Sequence, residues 1–264
     1  NWAAGGQNSV ATNGILSVYA KKKMIKSFWD TYLDLGYGVL KQGTVGKWWK
    51  TDDKIDFTTN YGQKATGRWY YSALVNLKTQ MAPGFNYPND SVKISNLFAP
   101  GYALAAIGME YKYKEIFSAF IAPFTDKTTI VADQSLADVG AFGVKKAQYD
   151  ANGNLTARGL NIRNEFGGYV RLMFKKDIMK NVTWQSGANF FSNYLHNPEN
   201  IDVYWDNLIS LKVNKFITAT ISTSLIYDDD IIIVIKDSKG NPTGRSGPRL
   251  QFKEILNVGF SYKF

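Results

Sequence analysis

The sequence predicts an all-β fold, and three observations predict it. Apolar and polar residues alternate with a period of two along most of the 264 residues. The alternating runs are 9–15 residues long, against about 5–6 for strands of ordinary globular domains. Aromatic residues make up 15% of the chain and β-branched residues are abundant, which suits strands and argues against disorder. The longest stretch free of strongly polar residues, 97–109, contains Pro100 and Gly101. A helix needs about 20 apolar residues to cross a bilayer, so helical membrane spans are excluded.

Eleven strands follow in order, at roughly 8–20, 28–42, 53–62, 67–81, 100–112, 115–124, 159–175, 181–195, 200–213, 216–228 and 249–264. In the second, Trp29, Leu33, Leu35, Tyr37 and Val39 oppose Asp30, Tyr32, Asp34 and Gly36. In the fourth, Trp69, Tyr71, Ala73, Val75 and Leu77 oppose Tyr70, Ser72, Asn76, Lys78 and Gln80. In the seventh, Phe166, Gly168, Val170, Leu172 and Phe174 oppose Gly167, Tyr169, Arg171 and Met173. In the ninth, Ile201, Val203, Trp205, Ile209 and Leu211 oppose Asp202, Tyr204, Asp206, Ser210 and Lys212. In the tenth, Ile217, Ala219, Ile221 and Leu225 oppose Thr218, Thr220, Ser222 and Ser224. The last carries Leu256, Val258, Phe260, Tyr262 and Phe264 against Asn257, Gly259, Ser261 and Lys263.

Alternation alone fits either a soluble sandwich, apolar face inward, or a membrane barrel, apolar face outward. Length decides between them, because a tilted membrane strand needs about 9–11 residues. The connections also alternate: short ones near 20–27, 62–67, 112–115, 175–181 and 213–216, longer ones at 43–52, 82–99, 125–158, 196–199 and 229–248, with the prolines in or beside the longer set. Outer-membrane barrels have short periplasmic turns and longer extracellular loops. The expectation is one domain, 1–264, a transmembrane antiparallel β-barrel of about twelve strands with eleven in this chain. The count of twelve comes from parity: the first and last strands would run in the same direction, and single-chain bacterial barrels have even strand numbers. An upward strand before Asn1 is therefore expected, with Trp2–Gly6 as an external turn.

The start of the chain, Asn1-Trp2-Ala3-Ala4-Gly5-Gly6-Gln7-Asn8-Ser9, resembles the N-W-x-A-G-G-x-N-S signature of an uncharacterised family of Gram-negative outer-membrane barrels. Similar stretches recur at 34–38, 78–84, 90–95, 136–144, 191–194 and 226–230. The resemblance implies a barrel in the bacterial outer membrane, with a further strand usually preceding the N-W motif. It implies no activity, because the family is a domain of unknown function, and it carries over no catalytic residue.

Candidate chemistry is sparse. With no cysteine, thiolate metal sites, cysteine nucleophiles and disulfides are excluded. The single histidine, His196, lies in a longer connection with no nucleophile marked beside it, so it reads as a solvated turn residue rather than a general base. Asp228-Asp229-Asp230 and Asp52-Asp53 are oxygen-only groups that suit Ca²⁺ or Mg²⁺, but their spacing is not that of an EF-hand and an acidic rim is the simpler reading. No catalytic, cofactor or metal residue is assigned, and no cofactor is expected. The polar faces carry both signs of charge, including Asp30, Asp34, Asp56, Lys78, Glu110, Arg163, Glu165, Arg171, Asp202, Asp206, Lys212 and Lys253, which should pair or meet trapped water. Trp29, Trp69 and Trp184 stand where an interfacial girdle is expected, whereas Trp48-Trp49 are expected in a loop.

Charge is unevenly placed. The short connections, taken as 20–27, 62–68, 112–115, 175–181 and 212–216, hold Lys21, Lys22, Lys23, Lys26, Lys64, Arg68, Lys112, Lys114, Lys175, Lys176, Lys180, Lys212 and Lys215 against Glu115 and Asp177. Their sum exceeds the whole-chain net charge of +9, so the rest of the chain is slightly acidic. The expected partners are outer-membrane lipids, other outer-membrane proteins in a complex, and the barrel assembly machinery during insertion; no nucleic acid is expected. The functional expectation is a porin-like narrow pore or a scaffold subunit, without enzyme activity. The rival is a membrane-embedded hydrolase of lipid or peptide, which would need a clustered nucleophile, base and orienter.

Overall fold

A computed structural model describes residues 8–43, 46–87, 89–236 and 242–260. The strands are β1 (Ser9–Lys23), β2 (Ser27–Gln42), β3 (Trp48–Thr66), β4 (Trp69–Thr79), β5 (Gly84–Phe85), β6 (Lys93–Ser95), β7 (Gly101–Tyr113), β8 (Phe117–Ile130), β9 (Gln148–Tyr149), β10 (Leu155–Ala157), β11 (Ile162–Met179), β12 (Val182–Asn193), β13 (Ile201–Lys212), β14 (Ile217–Tyr227), β15 (Ile233–Lys236), β16 (Pro242–Gly247) and β17 (Gln251–Phe260). One short helix, α1 (Gln134–Asp138), and a 3-10 turn at Ala141–Gly143 complete the described elements.

The protein is all-β, and its main sheet has eleven antiparallel strands in the order β1-β2-β3-β4-β7-β8-β11-β12-β13-β14-β17. These match the eleven predicted strands one for one. The remaining strands form three two-stranded pairs within the longer connections: β5 with β6, β9 with β10, and β15 with β16. The main sheet has β1 and β17 as its two ends, and no closure into a barrel is seen among the described residues. The turn expected at Trp2–Gly6 and the terminal Tyr262 and Phe264 lie outside the described residues. No described helix is long and apolar enough to cross a membrane, which has no bearing on strands.

The chain divides into two compact units. The first comprises residues 1–61, 74–105 and 127–164. Its β1–β2 hairpin pairs in unbroken register from Ser9↔Gln42 to Lys23↔Phe28. Both faces of β1 are exposed along its whole length. Its compact apolar core lies in the loops: Ala99, Val131, Leu136, Ala137 and Val144 are buried together, with Ala141 and Phe142 against them. The 131–161 connection is pinned at its base, where the Val131 N–H donates to Asn161 O and the Asn161 side-chain amide donates to Val131 O, both at 2.7 Å. Gly159 permits the closure, since a Cβ there would lie 2.2 Å from the Ala137 carbonyl oxygen.

The second unit comprises residues 62–73, 106–126 and 165–264. Here β11, β12, β13, β14 and β17 form an antiparallel meander. Phe120, Tyr169 and Phe191 are buried on one face, with the Phe120 and Tyr169 rings edge to face at 6.2 Å.

Three boundaries differ from the sequence reading. Trp48-Trp49 are not in a loop but open β3, and Trp49 stacks on Tyr87 at 5.8 Å. Lys21-Lys22-Lys23 close β1 rather than standing in a turn. Pro123 does not sit at a strand end. It lies within β8, where the alternation slips by one residue: Phe120 and Ala122 are buried, Pro123 and Phe124 are both exposed, and Thr125 and Lys127 are buried again. Such a slip is where a residue without an N–H is tolerated in a sheet.

Candidate functional site

The chemistry-bearing residues fall into two groups, and each is built by strand alternation. In the first unit the polar face of β3 and β4 is a linked network. The Asn76 side-chain amide donates to Asp56 Oδ1 at 2.7 Å and Thr58 Oγ1 at 2.8 Å. Lys54 and Lys78 approach the Asp56 carboxylate at 3.7 and 3.6 Å. The charges expected to pair on this face do so here. Asp53 is a tie between loops: its carboxylate accepts from Lys50 at 2.8 Å and from the backbone N–H groups of Met81 and Ala82 at 2.8 and 2.9 Å.

Asp133 plays the same part for the 131–161 connection. It caps α1 by accepting from the Ser135 N–H at 3.1 Å, and it accepts from Lys93 at 2.5 Å and Asn96 at 3.1 Å. Lys93 above all, then Ser135, holds its carboxyl well below the ordinary carboxylate range. Asp138 is lowered too, first by the Gly159 N–H and then by Gln134. Period-two reading of the sequence leaves helix, cap and loop core as plain connection. The signal is nonetheless present: Asp before Gln134-Ser135-Leu136-Ala137, then Gly140 at φ +74° just past the helix, is a capped helical turn.

In the second unit a small recess is lined by Glu165, Asn193, His196, Asn197, Asn200, Asp202, Asp229 and Asp230. The structure thus brings His196 to the acidic triplet. Asp228 is buried and accepts from the Tyr204 hydroxyl at 2.7 Å and from the Asp230 N–H at 3.0 Å. Asp229 accepts from the Asn200 amide at 2.7 Å. The His196 Nε2 lies 3.3 Å from the Asn197 amide nitrogen. The lining has no serine, threonine or cysteine, and the enclosed space admits about one water molecule. Among the described residues no group of three or more His, Asp or Glu side chains is placed to hold a metal ion. The recess is a hydrogen-bonded acidic rim. Asn193 and Asn200, which hold or line it, carry no sequence signal.

Trp29, Trp69 and Trp184 stand within the first three residues of β2, β4 and β12. Trp29 donates to Thr59 at 2.8 Å and meets Tyr61 edge-on at 6.3 Å. Trp69 meets Tyr111 at 5.4 Å, and Trp184 meets Phe174 at 5.0 Å.

A family model described as "Protein of unknown function (DUF3078)" matches residues 1–85. No curated protein matches the chain. No solved structure matches it either. What this chain is similar to is therefore a family of unknown function, over the first 85 of its 264 residues.

Proposed function

We propose that this chain is an integral β-barrel of the bacterial outer membrane, of about twelve strands with eleven in this chain, that serves as a scaffold subunit or narrow pore rather than as an enzyme. One observation carries the reading: along the middle of the sheet, strands expose apolar side chains while ionisable ones are buried. Tyr71, Leu77 and Ile107 are 62%, 47% and 65% exposed. Glu110, Glu165 and Asp202 are 4%, 3% and 5% exposed. In water this is the wrong way round, since large apolar side chains collect inside and ionisable ones outside. In a bilayer it is the expected arrangement, apolar toward lipid and polar inward. Strands of 10 to 19 residues are long enough to cross the hydrocarbon, for which about 9–11 suffice.

The twelfth strand follows from the same solvent. An unpaired strand edge in hydrocarbon costs several kcal/mol for each unsatisfied backbone group. The outer edge of β1 spans 15 residues at the end of the sheet order, so a further antiparallel strand is expected along it. Between scaffold and pore, the filling of the buried face favours the scaffold: Phe120, Tyr169 and Phe191 occupy it in one unit, and the Asp56 network in the other. Conductance across planar bilayers tests this. Quiet membranes, or only very small steps, are expected from protein that has inserted; porin-sized steps would refute the scaffold reading. Recovery in the aqueous phase after detergent-free fractionation of cells would refute the membrane reading itself.

A further inference from the structure

The turns at one end of the second unit are each bonded to the adjoining strand. The Lys112 N–H donates to Arg68 O at 3.0 Å, the Lys175 N–H to Ile116 O at 2.8 Å, and the Lys212 N–H to Asn181 O at 2.9 Å. Each of these bonds joins a short turn to the end of the next strand, Lys112 in β7, Lys175 in β11 and Lys212 in β13, so the turns between β3 and β4, β7 and β8, β11 and β12, and β13 and β14 follow one another along the same edge of the sheet. Every turn in the row carries a cation: Arg68, Lys114, Lys180 and Lys215, all exposed. The acids in or beside these turns are Glu115, next to Lys114, and Asp177, which accepts from the Thr183 hydroxyl; they are outnumbered by Arg68, Lys114, Lys176, Lys180 and Lys215.

An aromatic band runs beside the row. Trp69 with Tyr111, Phe174 with Trp184, and Phe216 stacked on Phe260 at 5.5 Å follow one another at the same strand ends. Two of the cations lie over rings at or beside the turns: Arg68 is 4.6 Å from the Tyr113 ring centre and Lys215 is 4.8 Å from that of Phe216. Cation–π contact holds the charges level with the aromatics. In a membrane that level is the headgroup layer.

We propose that this row binds the phosphates of anionic phospholipids in the adjoining leaflet. The inference rests on the membrane reading above and names the lipid that this end of the chain selects. A linear row of cations parallel to an aromatic band matches a planar sheet of headgroups. The turns are only two to four residues long (67–68, 114–116, 180–181 and 213–216), so they project little toward a soluble partner. Anionic surfaces attract juxtamembrane Lys and Arg, with an effect that fades over a Debye length.

The test uses the full chain reconstituted in phosphatidylcholine vesicles with and without phosphatidylglycerol, followed by detergent release and native mass spectrometry of retained lipid. Wild type is expected to retain phosphatidylglycerol over phosphatidylcholine, and high salt during release should erase that preference. Combined Arg68→Gln, Lys114→Gln, Lys180→Gln and Lys215→Gln should cut the preference by at least about tenfold. Should that variant fold poorly, the salt series on wild type decides alone: a preference that survives high salt would overturn the inference. Insertion without any lipid preference would overturn this inference alone. Failure to insert into phosphatidylcholine would overturn the membrane reading and this inference with it. Saturable binding of polyglutamate by inserted protein that shows no lipid preference would assign the row to an acidic protein and overturn the lipid reading.

Discussion

Replacing Asp133 by alanine should loosen the 131–161 connection without disturbing the strands. The substitution removes the acceptor that caps α1 through the Ser135 N–H, and loss of such a cap costs about 1 kcal/mol. It also removes the partner of Lys93. That pair is intermediate in exposure, with 10% of the Asp133 side chain and 35% of the Lys93 side chain accessible, so it is worth about 1–2 kcal/mol, above a surface pair and below a fully buried one. Together these give about 2–3 kcal/mol, or roughly a 30- to 150-fold rise in the local opening equilibrium. Hydrogen exchange read by mass spectrometry should show the change in peptides covering 131–144 and 93–99, and not in β12 or β13. Asp133→Asn keeps the cap acceptor and loses the charge, so about half the effect is expected. The depressed carboxyl also fixes a pH dependence. Because its folded value lies below the unfolded one, the stability it contributes is complete above about pH 4 and is lost as pH falls further. Protection corrected for intrinsic exchange should therefore fall in acid for wild type and fall less for Asp133→Asn, in which the lowered carboxyl of Asp138 remains. Unchanged exchange at 131–144 in Asp133→Ala, or an equal change in every strand, would refute the reasoning.

Val75→Arg, on the exposed face of β4, should destabilise the lipid-inserted protein by about 2–4 kcal/mol near mid-bilayer, read by urea unfolding in vesicles; a change within about 0.5 kcal/mol is what a water-facing site would give and would count against the membrane reading. Since the chain has no cysteine, single cysteines at Lys22 and Lys176 report topology cleanly; both should resist an impermeant thiol reagent on intact cells, and ready labelling would reverse the assigned sides. Phe264→Asp, or deletion of Tyr262–Phe264, should deplete the protein from the outer membrane, because the final strand resembles the recognition strand read by the barrel assembly machinery; normal levels of both variants would remove that role.

The strands are legible because a half-buried strand has a period of two and nothing else in the sequence imitates it over 10 or more residues. β4 shows this well: Tyr71, Ala73, Val75 and Leu77 are the exposed set and Ser72, Leu74 and Asn76 the covered one, as the alternation implies. Ends are less legible where the alternation breaks. The sequence reading stops β8 at Phe124 because the slip beside Pro123 puts two exposed residues in succession, and the strand in fact continues to Ile130. β3 starts at Trp48, five residues before the predicted edge, because two adjacent tryptophans have no alternation to follow. The sites depend on pairs distant in sequence, such as Lys93 with Asp133 or Asn76 with Asp56. No periodicity encodes which polar side chains will meet, so Asp53 and Asp228 read alike as acidic residues at strand ends although one bonds to Lys50 and the other to Tyr204.

The order of the sheet is the order of the chain, and that has a consequence for assembly. Each of the eleven strands lies beside the strand that precedes it among the long ones, so every pairing is a hairpin or a hairpin with an insert. Contacts are local in sequence, loop-closure entropy grows only with the logarithm of the insert, and the 131–161 insert brings its own ends together. Such a chain can add strands one at a time to a growing edge, each templated by the last. The same order makes an error heritable. A slip of one residue in any pairing would turn that strand's apolar face inward and carry the fault to all strands added after it. The unbroken fifteen-residue register of β1 on β2 would then serve as the primer from which the remaining registers are copied.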